Sequence, residues 1–291
     1  MPSLVTRMGL RCPNPAVALV LLAFLVLPGS PLCAADGFGA SPLDQAFQSM
    51  YDLQFDDAHR ALAAYKHDHP EDPMGSAANA AAYLFSEFNR LHVLELEFFT
   101  NDRSFESSRG LPADPEVKSR FFAELDQGAQ LASAALARNP RDANALFASV
   151  LTLGLRGDYF SLIEKHNLQG LSYMKQGRAE AERLLGIDPG CFDAYLAIGV
   201  ENYLLSLKPM PLRWVLRLGG AETDKGTGLD RLRITAERGH YLRPFARLLL
   251  AVAAMRDKDP ATARRLLGEL AQQFPHNPLY SKELATIRCC G

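Results

Sequence analysis

Residues 58–70 read AHRALAAYKHDHP. Ala58, Leu62 and Tyr65 stand four and seven positions apart, so on a helix they share one face. Pro70 then closes that helix, because proline cannot continue the i→i−4 ladder. Residues 263–275, ARRLLGELAQQFP, repeat the pattern as Ala263, Leu267, Leu270 and Pro275. Gly128-Ala132-Ala135-Pro140 and Gly177-Ala181-Leu184-Pro189 repeat it with glycine in the small position. A small-large apolar face ending in proline thus recurs from one end of the chain to the other.

Outward from these stretches the pattern stays helical. From Pro42 onward Ala and Leu dominate, and no segment sustains the period-two alternation of a half-buried strand. Short polar clusters punctuate the helices: His69-Pro70-Glu71-Asp72-Pro73, Asn139-Pro140-Arg141-Asp142, Asp188-Pro189-Gly190 and Pro275-His276-Asn277-Pro278. Loops this short place neighbouring helices antiparallel. The expected fold is all-α, an α-solenoid of antiparallel helix pairs with extra helices packing its inner face. In Tyr195-(x2)-Ile198-Gly199-(x3)-Tyr203, Gly199 is expected to let a facing helix approach closely. Asp224 or Thr227 is expected to cap a helix starting near Leu229.

Residues 1–35 read as a secretory signal. Arg7 and Arg11 precede an unbroken apolar run from Ala16 to Leu27, shorter than the roughly 20 residues of a membrane span. Pro28, Gly29 and Pro31 break it, and Cys33-Ala34-Ala35 offers small residues for cleavage before Asp36. Leu32 ahead of Cys33 argues against lipidation at that cysteine, and the run would stay as an uncleaved anchor if Pro31 impaired processing. The expected location is the periplasm of a diderm bacterium, or outside the cell otherwise. Of the 5 cysteines, the mature chain keeps Cys191, Cys289 and Cys290. Cys191 either pairs with one of the other two or stays an unpaired thiol. Residues 36–115 form an N-terminal helical part and 116–291 the C-terminal repeats of one continuous solenoid, with Thr100–Pro115 the longest polar connector.

Charge and motifs narrow the function classes. A net charge of −2 provides no general basic surface for nucleic acid. Within Gly219–Gly228, Lys225 precedes Gly226 and Thr227 instead of following the last glycine, so a phosphate loop is not expected. His59, His67 and His69 lie near a polar helix end and carry no metal-ligand spacing. No nucleophile, zinc or haem motif occurs. Neither a catalytic activity, a cofactor nor a metal is expected.

Three helices, Ala145–Leu155, Phe192–Leu207 and Pro244–Met255, are apolar nearly all round and should be buried on every side. Glu201 and Asn202 interrupt the second, and the buried Glu201 needs a basic partner, with Lys208, Arg213 and Arg217 as candidates. Trp214 lies between two arginines in the short cationic segment Met210–Leu218 (MPLRWVLRL), which permits peripheral membrane contact without requiring it. Tyr195, Glu201, Asn202, Tyr203, Arg213, Trp214 and Arg217 are therefore the candidate contacts for a partner or ligand.

The recurring faces resemble the tetratricopeptide-repeat family, whose second helices carry Ala, an aromatic, Ala and a closing proline. Phe55-Asp56-Asp57-Ala58 and Gly157-Asp158-Tyr159 are similar to its inter-helix turns. Pro70, Pro140, Pro189 and Pro275 lie farther apart than the family period of about 34 residues, so the repeats are degenerate or separated by extra helices. Within residues 192–250, Glu201–Pro209, Trp214–Gly220 and Asp224–Leu229 resemble a block in tetratricopeptide proteins associated with inclusion-body and lipid-droplet clearance, and in their bacterial relatives. The leader departs from the intracellular members of that group, so no function carries over from the block. Stacked helix pairs that leave a surface to offer, together with the leader, are instead expected to make an interaction scaffold or adaptor for an unidentified protein partner in the cell envelope. The alternative expectation is a carrier or sensor of an apolar small molecule or lipid in a groove near residues 195–217.

Overall fold

The computed structural model describes residues 38–100, 110–206 and 224–289. Among them are twelve α-helices and no strand: α1 (Pro42–Tyr51), α2 (Phe55–Asp68), α3 (Pro73–Arg90), α4 (Leu96–Thr100), α5 (Pro115–Arg138), α6 (Ala143–Asp158), α7 (Asn167–Ile187), α8 (Tyr195–Ser206), α9 (Lys225–Arg238), α10 (Arg243–Arg256), α11 (Pro260–Gln273) and α12 (Pro278–Cys289). The all-α expectation holds.

The punctuation acts through capping. Asp72-Pro73, Asp114-Pro115 and Asp259-Pro260 each place an aspartate at the N-cap and a proline at the first helical position. The carboxylate accepts an otherwise orphaned N–H, and proline has none to lose. Asp142 and Asp224 cap α6 and α9 in the same way. Of the two caps considered for α9, Asp224 is the one used, and the helix starts at Lys225, ahead of the expected Leu229.

Leaving aside the single-turn α4, every helix packs on the next in sequence. The α3–α5 pair is antiparallel: Ala77 abuts Gly128, Asn79 Nδ2 donates to Glu124 Oε1 at 2.8 Å, and the Asp114 N–H donates to Glu87 Oε1 at 2.7 Å. The four recurring faces lie at these contacts. Ala58 and Leu62 of α2, Ala132 and Ala135 of α5, Ala181 and Leu184 of α7, and Ala263, Leu267 and Leu270 of α11 are all buried. The intervening helix α9 buries Leu232, Thr235 and Ala236 in the same manner but ends at Gly239 with no proline.

The first helices also meet the last. Tyr51 Oη donates to the Tyr241 carbonyl at 2.9 Å, Asn277 Nδ2 donates to the Tyr51 carbonyl at 2.8 Å, and the His276 N–H donates to Asp52 Oδ1 at 3.1 Å. Phe38, Phe47, Tyr51, Tyr241 and Phe274 form one aromatic cluster across that seam. The short α4 rests on α10, where Arg256 Nη1 donates to the Phe99 carbonyl at 2.5 Å.

Gly157-Asp158-Tyr159 is not the expected turn. α6 runs through Asp158 into a π-helical turn, Tyr159–Ile163, and the chain reverses only at Glu164–His166. Gly157 serves packing instead, with the Gly170 carbonyl 3.2 Å from where its Cβ would be.

Candidate functional site

The residues singled out in the sequence centre on α8, which follows a 3₁₀ turn at Phe192–Ala194. No residue from Phe192 to Ser206 is exposed, as expected of a helix apolar all round. α9 lies against one side. A Cβ on Gly199 would stand 3.0 Å from the Leu232 backbone nitrogen, and one on Gly228 would stand 2.7 Å from the Tyr203 nitrogen. Two glycines facing opposite ways therefore set the spacing of this pair.

Glu201 and Asn202, at 1% and 0% exposure, are the polar residues in the middle of this helix. Glu201 Oε2 lies 4.0 Å from Nε of Arg178 on α7, and that same nitrogen donates to Glu182 Oε1 at 2.8 Å. A buried carboxylate needs such a cation nearby. Its partner among the described residues is thus Arg178 from the preceding helix, whereas Lys208, Arg213 and Arg217 lie outside the described residues, as does Trp214. Tyr203 is buried, its hydroxyl makes no hydrogen bond among the described residues, and burial pushes the phenol up to about 12. Tyr195 is half-buried beneath the Arg231 guanidinium, 5.3 Å from its ring centre. The structure therefore places Tyr195, Glu201, Asn202 and Tyr203 on one helix without gathering them at one point: Tyr195 and Tyr203 meet α9, and Glu201 meets α7.

Sequence reading missed the residue beside them. Asp193 is buried, and its carboxylate accepts the backbone N–H groups of His240, Tyr241 and Leu242 at 2.9, 2.9 and 3.0 Å. These groups open α10, whose own N-cap position, Leu242, has no side-chain acceptor. Asp193 therefore caps a helix that begins about fifty residues later. Burial raises its pKa while the three donors pull the other way. Around it Thr235 Oγ1 donates to the Phe192 carbonyl at 2.9 Å, Arg243 Nε donates to the Gly239 carbonyl at 2.8 Å, and His240 Nε2 lies 2.6 Å from Asp44 Oδ1. This hub positions the backbone where α10 begins.

A second polar group gathers at the π turn. Lys118 pairs with Glu164 at 2.5 Å, and the Lys165 ammonium lies 4.9 Å from the Phe98 ring centre. The buried Tyr159 hydroxyl has no hydrogen-bond partner among the described residues. Asp158 forms no hydrogen bond or ion pair there, and burial pushes its carboxyl up to about 7. The folded chain thus holds this proton more tightly than the unfolded one. The stability tied to it is complete below an ordinary aspartate pKa near 3.8 and is lost as pH rises through 7. Asp158→Asn is therefore expected to match the wild type at pH 4 and to exceed it by up to about 4 kcal/mol at pH 8. Urea unfolding at the two pH values checks this, and a difference independent of pH would refute it.

The remaining features fill in the interior. Met50, Tyr51, Phe85, Phe245, Leu248 and Tyr280 line a pocket of about 20 Å³ beneath α1, room for a single water. His59 Nδ1 lies 2.7 Å from Asn79 Oδ1, while His67 and His69 are exposed at the end of α2. Among the described residues no three His, Cys, Asp or Glu side chains group as metal ligands would. Cys191 forms no disulfide among the described residues and is half-buried, and burial pushes its thiol up to about 12. The Cys289 side chain and Cys290 lie outside the described residues. No protein-family model matches the chain, and no curated protein matches it in sequence.

Proposed function

We propose that the chain is an exported, non-catalytic helical-repeat scaffold of tetratricopeptide type, whose stacked antiparallel pairs present a surface to a protein partner in the cell envelope. The observation that carries this reading is the recurrence of one buried face on the second helix of successive pairs. Ala58-Leu62, Ala132-Ala135, Ala181-Leu184 and Ala263-Leu267 all lie in the core, and each helix rests on its sequence neighbours. Pairs of this kind cannot bury their faces singly. Stacking builds the core, and the surfaces left over are the functional product. Export rests on the leader, with its apolar run Ala16–Leu27 and cleavage before Asp36.

The test is affinity capture from an envelope fraction with the mature chain as bait, followed by reconstitution with the purified captured protein. A stoichiometric complex re-formed from two pure components is the expected result. The reading falls if no component rebinds, or if lipid extraction and mass spectrometry find an apolar molecule bound one to one, which would make the chain a carrier.

A further inference from the structure

Most basic side chains on the last four helices are engaged. Arg233 pairs with Asp230 at 2.5 Å, Arg265 with Glu269 at 2.6 Å, and Lys225 with Asp257. Arg231 and Arg238 are different. The Arg238 guanidinium carbon lies 3.7 Å from the Phe192 ring centre and that of Arg231 5.3 Å from Tyr195. Neither arginine forms an ion pair or hydrogen bond among the described residues. With Ile234, half-buried between them, they occupy positions i, i+3 and i+7 of α9, one continuous stripe. A guanidinium held over an aromatic face is preorganised, and its N–H fork suits a carboxylate in bidentate geometry.

We propose that this Arg231–Ile234–Arg238 stripe, backed by Phe192 and Tyr195 at the α8–α9 junction, docks an acidic segment of a partner protein. Seven helical residues span about 10.5 Å. An extended segment rises about 3.4 Å per residue, so carboxylates three residues apart meet both arginines and the residues between them cross Ile234. The inference rests on the scaffold reading and assigns that scaffold a contact surface and the chemistry of what it holds.

Fluorescein-labelled hexaglutamate, titrated against the mature protein by anisotropy, tests it, with hexaglutamine as the neutral probe. Hexaglutamate is expected to bind at least tenfold more tightly than hexaglutamine. Arg231→Gln/Arg238→Gln should weaken hexaglutamate binding at least tenfold, and Arg231→Lys/Arg238→Lys at least threefold, since lysine keeps the charge but loses the planar fork. Arg264→Gln, on α11, should stay within twofold of wild type. Wild-type-like binding by either double variant overturns the proposal, as does preferential binding of phosphatidylglycerol vesicles through the same arginines. Should a double variant fold poorly, a photo-crosslinkable hexaglutamate on the wild type decides: adducts within 225–238 or 192–195 support the surface, and adducts elsewhere reject it. If the captured envelope partner binds the double glutamine variant undiminished, this surface is wrong and the scaffold reading stands. If nothing is captured by the wild type, the scaffold reading fails whatever the peptide does.

Discussion

Asp193→Ala should cost about 3–5 kcal/mol of unfolding free energy. The carboxylate accepts three backbone N–H groups at the start of α10, and charge-assisted bonds of this type contribute about 1.5–3 kcal/mol each before the cost of burying the acceptor is deducted. Alanine would leave the three donors without that acceptor, and a buried donor left unpaired costs about 1–3 kcal/mol. Asp193→Asn retains one acceptor oxygen, and roughly half the loss is expected. Urea denaturation of the two variants beside the wild type measures both. A loss below about 1 kcal/mol for the alanine variant would mean that Asp193 does not hold α10 in place.

The second large effect is expected at the α8–α9 contact. Gly199→Leu should destabilise the fold by about 4 kcal/mol or more, since its first side-chain atom would already sit 3.0 Å from backbone and side-chain atoms of Leu232. Overpacking a close-packed contact by a methylene or two costs about 1–3 kcal/mol, and a leucine adds four carbons against a helix backbone that cannot step aside. Gly199→Ala is the informative companion. It gains about 0.5–1 kcal/mol of helix propensity against a smaller clash, so its loss should be well under half that of leucine. An unchanged melting temperature for Gly199→Leu would rule out the close approach.

The contrast between these two sites shows what could be read from the chain alone. The glycine was legible, because Gly199 interrupts a run of large apolar residues in a helix, and such a residue marks a facing helix. The aspartate was not. Asp193 caps donors at His240–Leu242, and no local pattern links residues so far apart. The faces of α2, α5, α7 and α11 could be read because each repeats one spacing of small or apolar residues ahead of a proline stop. The buried face of α9, Leu232, Thr235 and Ala236, was not legible by the same sign, because Gly239 and not a proline ends that helix. At Gly157-Asp158-Tyr159 the residue types did suggest a turn. They misled because Gly157 was needed for contact with Gly170, and the helix carried on into a π turn before reversing. For Glu201 the need for a cation was evident from burial alone; Arg178 on the previous helix stands 4.0 Å away, and Lys208, Arg213 and Arg217 lie outside the described residues.

The seam joining Tyr51 and Asp52 to His276 and Asn277 changes how such a chain comes apart. In an open stack the tips fray first, and each terminal unit melts on its own account. Here neither tip can loosen without tearing its hold on the other, so the two ends guard each other. Slow amide exchange should accordingly extend into α1 and α12 at nearly the same depth as in the central helices, and the molecule should melt in a single step.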